Sequence, residues 1–253
     1  MKIPYEDLLR VNEPFLNEIE SHLRETLYSG YYILGNQVTK FEQKFSEYVG
    51  TAHGVGVNSG LDALLISLVA LFGEKSGAEI LVPSNTYIAT ILAIIRAGAV
   101  PVLVEPDPYT CNIDSNEIER LITSKTKAIM PVHLYGLACD MGSIMKIAQK
   151  YNLRVIEDCA QSHGAMSCGK TTGAFDIGCF SFYPTKNLGA LGDAGIITSS
   201  DEDFIKTARA LRNYGSEQKY HNSLLGFNSR LDEVQASALL VKLKYIDEMN
   251  THR

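Results

Sequence analysis

Residues 54–104 read GVGVNSGLDALLISLVALFGEKSGAEILVPSNTYIATILAIIRAGAVPVLV, and the order of their apolar runs decides the fold. Gly54–Val57 is short and β-type. Leu61–Phe72 is apolar on nearly every side, which predicts a buried helix. Glu79–Val82 predicts a second strand, closed by Pro83. Thr86–Ala97 predicts a second helix ended by Gly98, and Val100–Val104 a third strand. The rhythm continues outward with a helix over Asp114–Ile122 capped by Asp114 and a strand over Lys127–Val132. A helix over Met141–Tyr151 and a strand over Leu153–Ile156 follow. Strands and helices alternating in this way form crossover units on a parallel sheet covered on both faces, an α/β fold. The pattern changes at Ile177–Tyr183 and Ala194–Thr198, two strands whose connection is too short for a helix. They are predicted to pair antiparallel or to lie at a sheet edge. Asp203–Asn213 predicts a helix. Leu231–Asn250 predicts one long amphipathic helix, with Leu231, Val234, Ala238, Val241 and Tyr245 on one stripe. The sequence ends at Thr251-His252-Arg253, where a helix of this kind is expected to lead into a further element.

The composition narrows the function. With 253 residues and 45% hydrophobic side chains, the chain can bury a substantial core. Its 29 acidic residues outnumber its 23 basic ones, which argues against nucleic acid as the main partner. No apolar run reaches the roughly 18–20 residues of a membrane span. The start, MKIPYEDLLRVNEP, carries acids and a proline where a signal peptide needs an apolar stretch. The cysteines Cys111, Cys139, Cys159, Cys168 and Cys179 are odd in number and lack a secretion signal, which predicts a reducing cytoplasm. They form no Cys-x-x-Cys pair, and none is spaced from a histidine as in a structural zinc site, so no metal is expected.

Three segments fall where ligands bind in parallel α/β folds, beyond the C-terminal ends of strands. Asn58-Ser59-Gly60 opens a buried helix, whose free N–H groups and dipole favour a phosphate; a plain capped turn would read the same way. Gly54, Gly56 and Gly60, with Glu79 downstream, also give a dinucleotide-type pattern, but one residue too long and with two glycines inside the strand. Glu157-Asp158-Cys159-Ala160-Gln161-Ser162-His163 follows a strand directly. A carboxylate there needs a cation, such as a pyridinium nitrogen, unless it serves as a cap or in a salt bridge. In Phe180–Gly189 a single lysine, Lys186, lies among apolar and small residues. In a partly dry pocket its pKa falls and it can form a Schiff base with an aldehyde; on an exposed loop it would do neither. A phosphate cradle, a carboxylate and a desolvated lysine together are the needs of pyridoxal 5'-phosphate (PLP).

At these residues the sequence resembles the sugar aminotransferases of the DegT/DnrJ/EryC/StrS type, within the fold-type-I PLP enzymes. The resemblance rests on SGYYILGNQVTKFEQKF, NSGLDAL, PSNTYIAT, PVLVEPD, MPVHLYG, VIEDCAQSHGA, FSFYPTKNLGALGDAG, RALRNYG and GFNSRLDEVQA, in family order over almost the whole chain. It implies a large domain with a mostly parallel central sheet over residues 36–230, preceded by an N-terminal segment, 1–35. It also implies that 231–253 form a long helix leading to a smaller C-terminal domain, here truncated. The implied activity is transfer of an amino group from L-glutamate to a nucleotide-linked keto-sugar, in a cytoplasmic homodimer with shared sites.

Position by position, the resemblance makes Lys186 the Schiff-base lysine and Asp158 the partner of the ring nitrogen. Gln161 lies near the phenolic oxygen and Tyr87 stacks on the ring. The amides of Gly60 and Leu61 and the hydroxyl of Ser181 hold the phosphate, which Asn228 reaches from the neighbouring subunit. Many relatives carry Thr where this chain has Leu61. A dehydrating branch carries His in place of the lysine, so Lys186 places the chain with the aminotransferases. NYGSEQKYHN, NSGLDAL and VHLYG resemble the subgroup acting at C3 of dTDP-linked 3-keto-6-deoxyhexoses. Lys219 would then meet the pyrophosphate and Tyr183 the sugar, unless they are an exposed loop lysine and a packed tyrosine. His133 and His163 are expected to orient neighbours. Two other readings stay open: an impaired truncated homologue that binds PLP or serves as an interaction protein, and a nicotinamide oxidoreductase.

Overall fold

Strands that are buried on both faces need continuous apolar runs, and the helices that cover them must supply apolar faces in return. The structure, a computed structural model, describes residues 6–218 and 221–252. Three helices come first: α1 (Leu8–Asn12), α2 (Leu16–Ser29) and α3 (Asn36–Val49). The alternation predicted from residues 54–104 then appears as β1 (His53–Val57), α4 (Gly60–Phe72), β2 (Glu79–Pro83), α5 (Ile88–Arg96) and β3 (Val100–Val104). It continues with α6 (Ser115–Ile118), β4 (Thr126–Ile129), α7 (Met141–Tyr151) and β5 (Arg154–Asp158). A short hairpin, β6 (Met166–Ser167) with β7 (Lys170–Thr171), precedes β8 (Ile177–Ser181), β9 (Gly195–Ser199) and α8 (Glu202–Arg212). A second hairpin, β10 (Ser216–Gln218) with β11 (His221–Asn222), leads to α9 (Glu233–Leu243) and α10 (Ile246–His252).

Seven strands form one sheet in the order β1-β9-β8-β5-β4-β2-β3. The run from β8 to β3 is parallel, and β9 is antiparallel to both β8 and β1, as the short β8–β9 connection requires. This register pairs Gly195 with Val57 on one side and Ser181 on the other. The end of β1, the end of β8 and the start of β9 therefore meet at one edge of the sheet. Strand alternation sends successive side chains to opposite faces. Ile156, Ile80 and Ile197 pack in a core with α4, α5 and α8. Val155, Leu81 and Ile129 pack with α7, while Phe180 and Ile196 pack with α3 and α9. The helix α2 lies on α9 through Ile19, Ala238 and Val241.

The structure differs from the sequence expectation at several ends. The helix predicted over Leu231–Asn250 is two helices, and Leu231 and Asp232 precede the first. At Lys244 and Tyr245 the bonds run to the third residue back, to Val241 and Lys242 oxygens, which tightens the turn. Lys242 is drawn inward to the Gly189 carbonyl at 2.6 Å and Asn12 at 2.9 Å, and the Tyr245 ring lies 5.2 Å from that of Phe15. The helix predicted from Thr86 begins at Ile88, because Tyr87 is extended (φ −64°, ψ 142°). The predicted Asp114–Ile122 helix reduces to α6 and a 3-10 turn over Glu119–Leu121. Gly54 and Gly56, by contrast, lie within β1 as expected from the sequence. A Cβ at Gly54 would come 2.8 Å from the Glu42 carbonyl oxygen, and one at Gly56 would come 2.9 Å from Leu231. Close packing explains these glycines, which removes the basis of the dinucleotide reading.

A buried ion pair ties the outer helices to β1. Arg212 of α8 meets Glu42 of α3 and donates to the Gly56 carbonyl at 2.7 Å, while Gly56 N–H donates to the same Glu42 carboxylate at 2.8 Å. Removing one partner strands the other charge in the core. Arg212→Met is expected to lower the unfolding free energy by about 3 kcal/mol in urea denaturation. A loss below about 1 kcal/mol would mean that the pair is dispensable.

Candidate functional site

At the sheet edge where β1, β8 and β9 meet, a cavity of about 470 Å³ opens. Its floor starts with α4. Ser59 caps the helix by accepting from Asp62 N–H at 3.1 Å, and the first-turn amides, Gly60 and Leu61 among them, have no intrahelical acceptor. The backbone here is pinned by close approach. A Cβ at Gly195 would lie 2.4 Å from Ser59 O, and one at Gly60 would lie 2.5 Å from the Ser181 Cβ. Glycine at both positions lets the Ser181 hydroxyl stand beside the start of α4. Backbone amides, a helix dipole and a hydroxyl at one point suit a phosphate group.

Asp158 ends β5 and lines the same cavity. Its Oδ2 accepts from the Thr90 hydroxyl at 2.8 Å and its Oδ1 from Ala160 N–H at 3.1 Å. Burial pushes its pKa up; the Thr90 and Ala160 hydrogen bonds and the charge of Lys186 pull it down. Lys186 also lines the cavity, on the loop between β8 and β9, where its backbone N–H donates to Tyr183 O at 2.8 Å. Burial lowers the pKa of its amine, and the Asp158 carboxylate opposes that shift. The two groups therefore face one space and sense each other. A flat heteroaromatic ring with a basic nitrogen and an aldehyde fits this pair, because it offers a cation to the acid and a carbonyl to the amine.

The other predicted residues divide. Gly60, Leu61, Tyr87, Gln161, Ser181 and Tyr183 all line the cavity with Asp158 and Lys186. Tyr87 is 71% exposed, so its ring is free to cover a ligand. Gln161 accepts from Tyr135 N–H at 2.7 Å through Oε1, which leaves its amide nitrogen as the donor. Asn228 does not line the cavity; it is exposed and its backbone bridges to Asn213. Lys219 lies outside the described residues.

Sequence reading missed Thr90, whose signal was a Thr86–Thr90 pair one turn apart at the start of an apolar helix. It also missed the work of Glu157. Alternation turns this acid to the opposite face from Asp158. It accepts from Gly173 N–H at 2.8 Å, Phe175 N–H at 3.0 Å and His133 Nε2 at 3.0 Å. His133 Nδ1 accepts from Cys139 N–H at 3.0 Å, which puts its proton on Nε2. His133, Glu157 and Cys159 lie close enough to hold a metal ion, yet the histidine and the carboxylate are spent on holding the chain. His163 packs among Phe45, Phe180 and Phe182. Burial raises the thiols of Cys159 and Cys179, and that of Cys139 to about 12, so these three stay neutral.

Comparison with known proteins agrees with this geometry. Residues 15–253 match the DegT/DnrJ/EryC1/StrS aminotransferase family. The dTDP-3-amino-3,6-dideoxy-alpha-D-galactopyranose transaminase of Aneurinibacillus thermoaerophilus is 54% identical, covering 99% of this chain and 69% of its own length. The crystal structure of Streptomyces venezuelae DesV, solved with a ketimine intermediate, superposes with a TM-score of 0.95 at 44% identity, over 98% of this chain and 67% of that one. The ntda structure from Bacillus subtilis, with bound cofactor PMP, gives 0.91 at 36% identity, over 98% and 57%. The chain thus spans about two thirds of the length of the curated relatives it matches.

The burial of Asp158 generates a pH test on the cofactor-free protein. Its folded pKa lies above the unfolded value, so its contribution favours folding below the ordinary aspartate range and is lost as pH rises through the folded pKa. Asp158→Asn, which never ionises, is expected to raise the melting temperature at pH 7. The gain should vanish as pH falls below the ordinary aspartate range. A variant less stable than the parent at pH 7 would contradict this.

Proposed function

Because the chain belongs to the DegT/DnrJ/EryC1/StrS aminotransferase family, whose enzymes depend on PLP, we propose that it moves an amino group from L-glutamate to a nucleotide-linked keto-deoxysugar. The observation that carries the reading is the pairing of Asp158 and Lys186 across one cavity, above a helix start pinned by Gly60 and Gly195. In its finer form the acceptor is a dTDP-linked 3-keto-6-deoxyhexose, aminated at C3. The relative from Aneurinibacillus thermoaerophilus, at 54% identity, is named for a dTDP-linked 3-amino-3,6-dideoxy sugar, which supports that choice.

When bound, PLP supplies an electron sink beside the carbon that carries the amino group. The resemblance to the family supports a role for each residue at a stated atom. The Gly60 and Leu61 amides and the Ser181 hydroxyl hold the phosphate at the start of α4. Tyr87 covers the ring, and the Gln161 amide nitrogen donates to its phenolic oxygen. Asp158 keeps the ring nitrogen protonated, because a carboxylate in a dry site favours a cation opposite it. Lys186 Nζ holds the cofactor at rest. In its neutral form, which burial favours, Nζ takes the α-proton of the amino donor and returns it.

Asn228, exposed and away from this cavity, is assigned to the phosphate of a second copy in a homodimer. Tyr183, at the cavity wall and half-exposed, is assigned to the sugar. Lys219 is assigned to the pyrophosphate.

Purified with PLP, the chain is expected to be yellow. L-Glutamate should bleach the visible band, and the keto-sugar nucleotide should restore it. Lys186→Ala should abolish the band and lower kcat by about 10³-fold, the scale of a lost general base. A band that persists in Lys186→Ala, or that ignores glutamate in the parent, would refute the reading.

A further inference from the structure

Thr90 is fully buried in the first turn of α5 and lies behind the cavity wall. A helical threonine commonly returns its hydroxyl to a carbonyl one turn back. Here the hydroxyl lies 2.8 Å from Asp158 Oδ2 and 2.7 Å from the Thr86 hydroxyl. Valence fixes the direction of this chain. An ionised carboxylate only accepts, and Thr90 owns one hydroxyl proton, so that proton goes to Asp158. Thr86 must then donate to Thr90. Thr86 lines the cavity, so an ordered chain of hydroxyls runs from the cavity wall to one oxygen of the acid. The other oxygen is held by Ala160 N–H. The carboxylate is thus held at both oxygens by donors of the protein itself.

We infer that Thr90 is a positioning residue for amino transfer: its hydroxyl, oriented by Thr86, keeps Asp158 ionised and aimed at the ring nitrogen of PLP. The inference rests on the PLP reading above. Its physical reason is the balance at Asp158, where burial opposes the charge and the Thr90 hydrogen bond is the largest influence that favours it. The remaining groups around the acid do not replace that donor. Lys186 on the β8–β9 loop acts through charge, His133 beyond β4 directs its one ring proton to Glu157, and Glu157 is committed to the opposite face of β5. Cys159, next in the chain, and Cys179, on β8, are neutral thiols.

Thr90→Val keeps the shape and removes the hydroxyl, while Thr90→Ser keeps the hydroxyl. A hydrogen bond to a charged group is worth about tenfold or more in an equilibrium. In the full chain with PLP, Thr90→Val is therefore expected to weaken cofactor binding about tenfold, measured by fluorescence titration of the cofactor-free protein. The pH midpoint of the visible absorption should move upward, because a ring with less positive charge repels a nearby proton less. kcat should fall while KM for L-glutamate changes little, and Thr90→Ser should restore all three. Parent-like affinity and pH midpoint in Thr90→Val would overturn the inference; so would failure of Thr90→Ser to restore them, which would indicate packing alone. If Thr90→Val does not fold by circular dichroism, Thr86→Val removes the upstream donor instead. It should move the pH midpoint in the same direction to a smaller degree, and an unmoved midpoint overturns the inference. A parent chain that binds no PLP would refute the broader reading, whereas a PLP-binding parent with an indifferent Thr90→Val refutes only this one.

Discussion

Asp158 stands at the end of β5 where water barely reaches, and a carboxylate in such a place is unstable unless donors and a cation meet it. Its neighbour Glu157 meets the same constraint and solves it within the chain. Two backbone N–H groups and a histidine satisfy Glu157, so it fixes the loop at 173–175 and needs no ligand. Asp158 has two hydrogen bonds and faces a cavity that also holds an amine with a lowered pKa. One acid is spent on structure and the other faces the cavity. The alternation of a β-strand separates them, because adjacent side chains point to opposite faces.

The antiparallel β9 makes this pairing possible. Inserted between β8 and β1, it brings the loop that carries Lys186 back over the edge where β5 and β1 end. Gly195 and Gly60 then permit backbone contacts that no larger residue allows, and these bring α4, β8 and β9 together at one point. The start of α4, the acid at the end of β5 and the lysine on the β8–β9 loop come from three separate stretches of chain, and the sheet register together with these close contacts brings them to one cavity.

Much of this was legible in the sequence. Periodicity marked β1 to β5 with their helices, and the short connection after Ile177–Ser181 marked the antiparallel change. The motifs carried eight predicted residues into one cavity. What escaped was decided by tertiary contact. The break at Lys244 depends on Lys242 reaching Gly189, some fifty residues away in the chain, and amphipathic spacing carries no trace of that. The later start of α5 depends on an extended Tyr87, whose ring lies over the cavity instead of in the helix. Thr90 reads as one polar residue in an apolar helix until the fold brings Asp158 within reach. The strand position of Gly54 and Gly56 was legible, but not the close packing against Glu42 and Leu231 that requires glycine there.

The central claim is that the amine of Lys186 holds PLP in the cavity that Asp158 closes. Borohydride reduction of the PLP-loaded chain, followed by proteolysis and mass spectrometry of the peptides, tests it most directly. The account predicts a pyridoxyl group on the peptide containing Lys186 and on no other lysine in stoichiometric amount. Label on a different lysine, or none after reduction of a coloured protein, would contradict it.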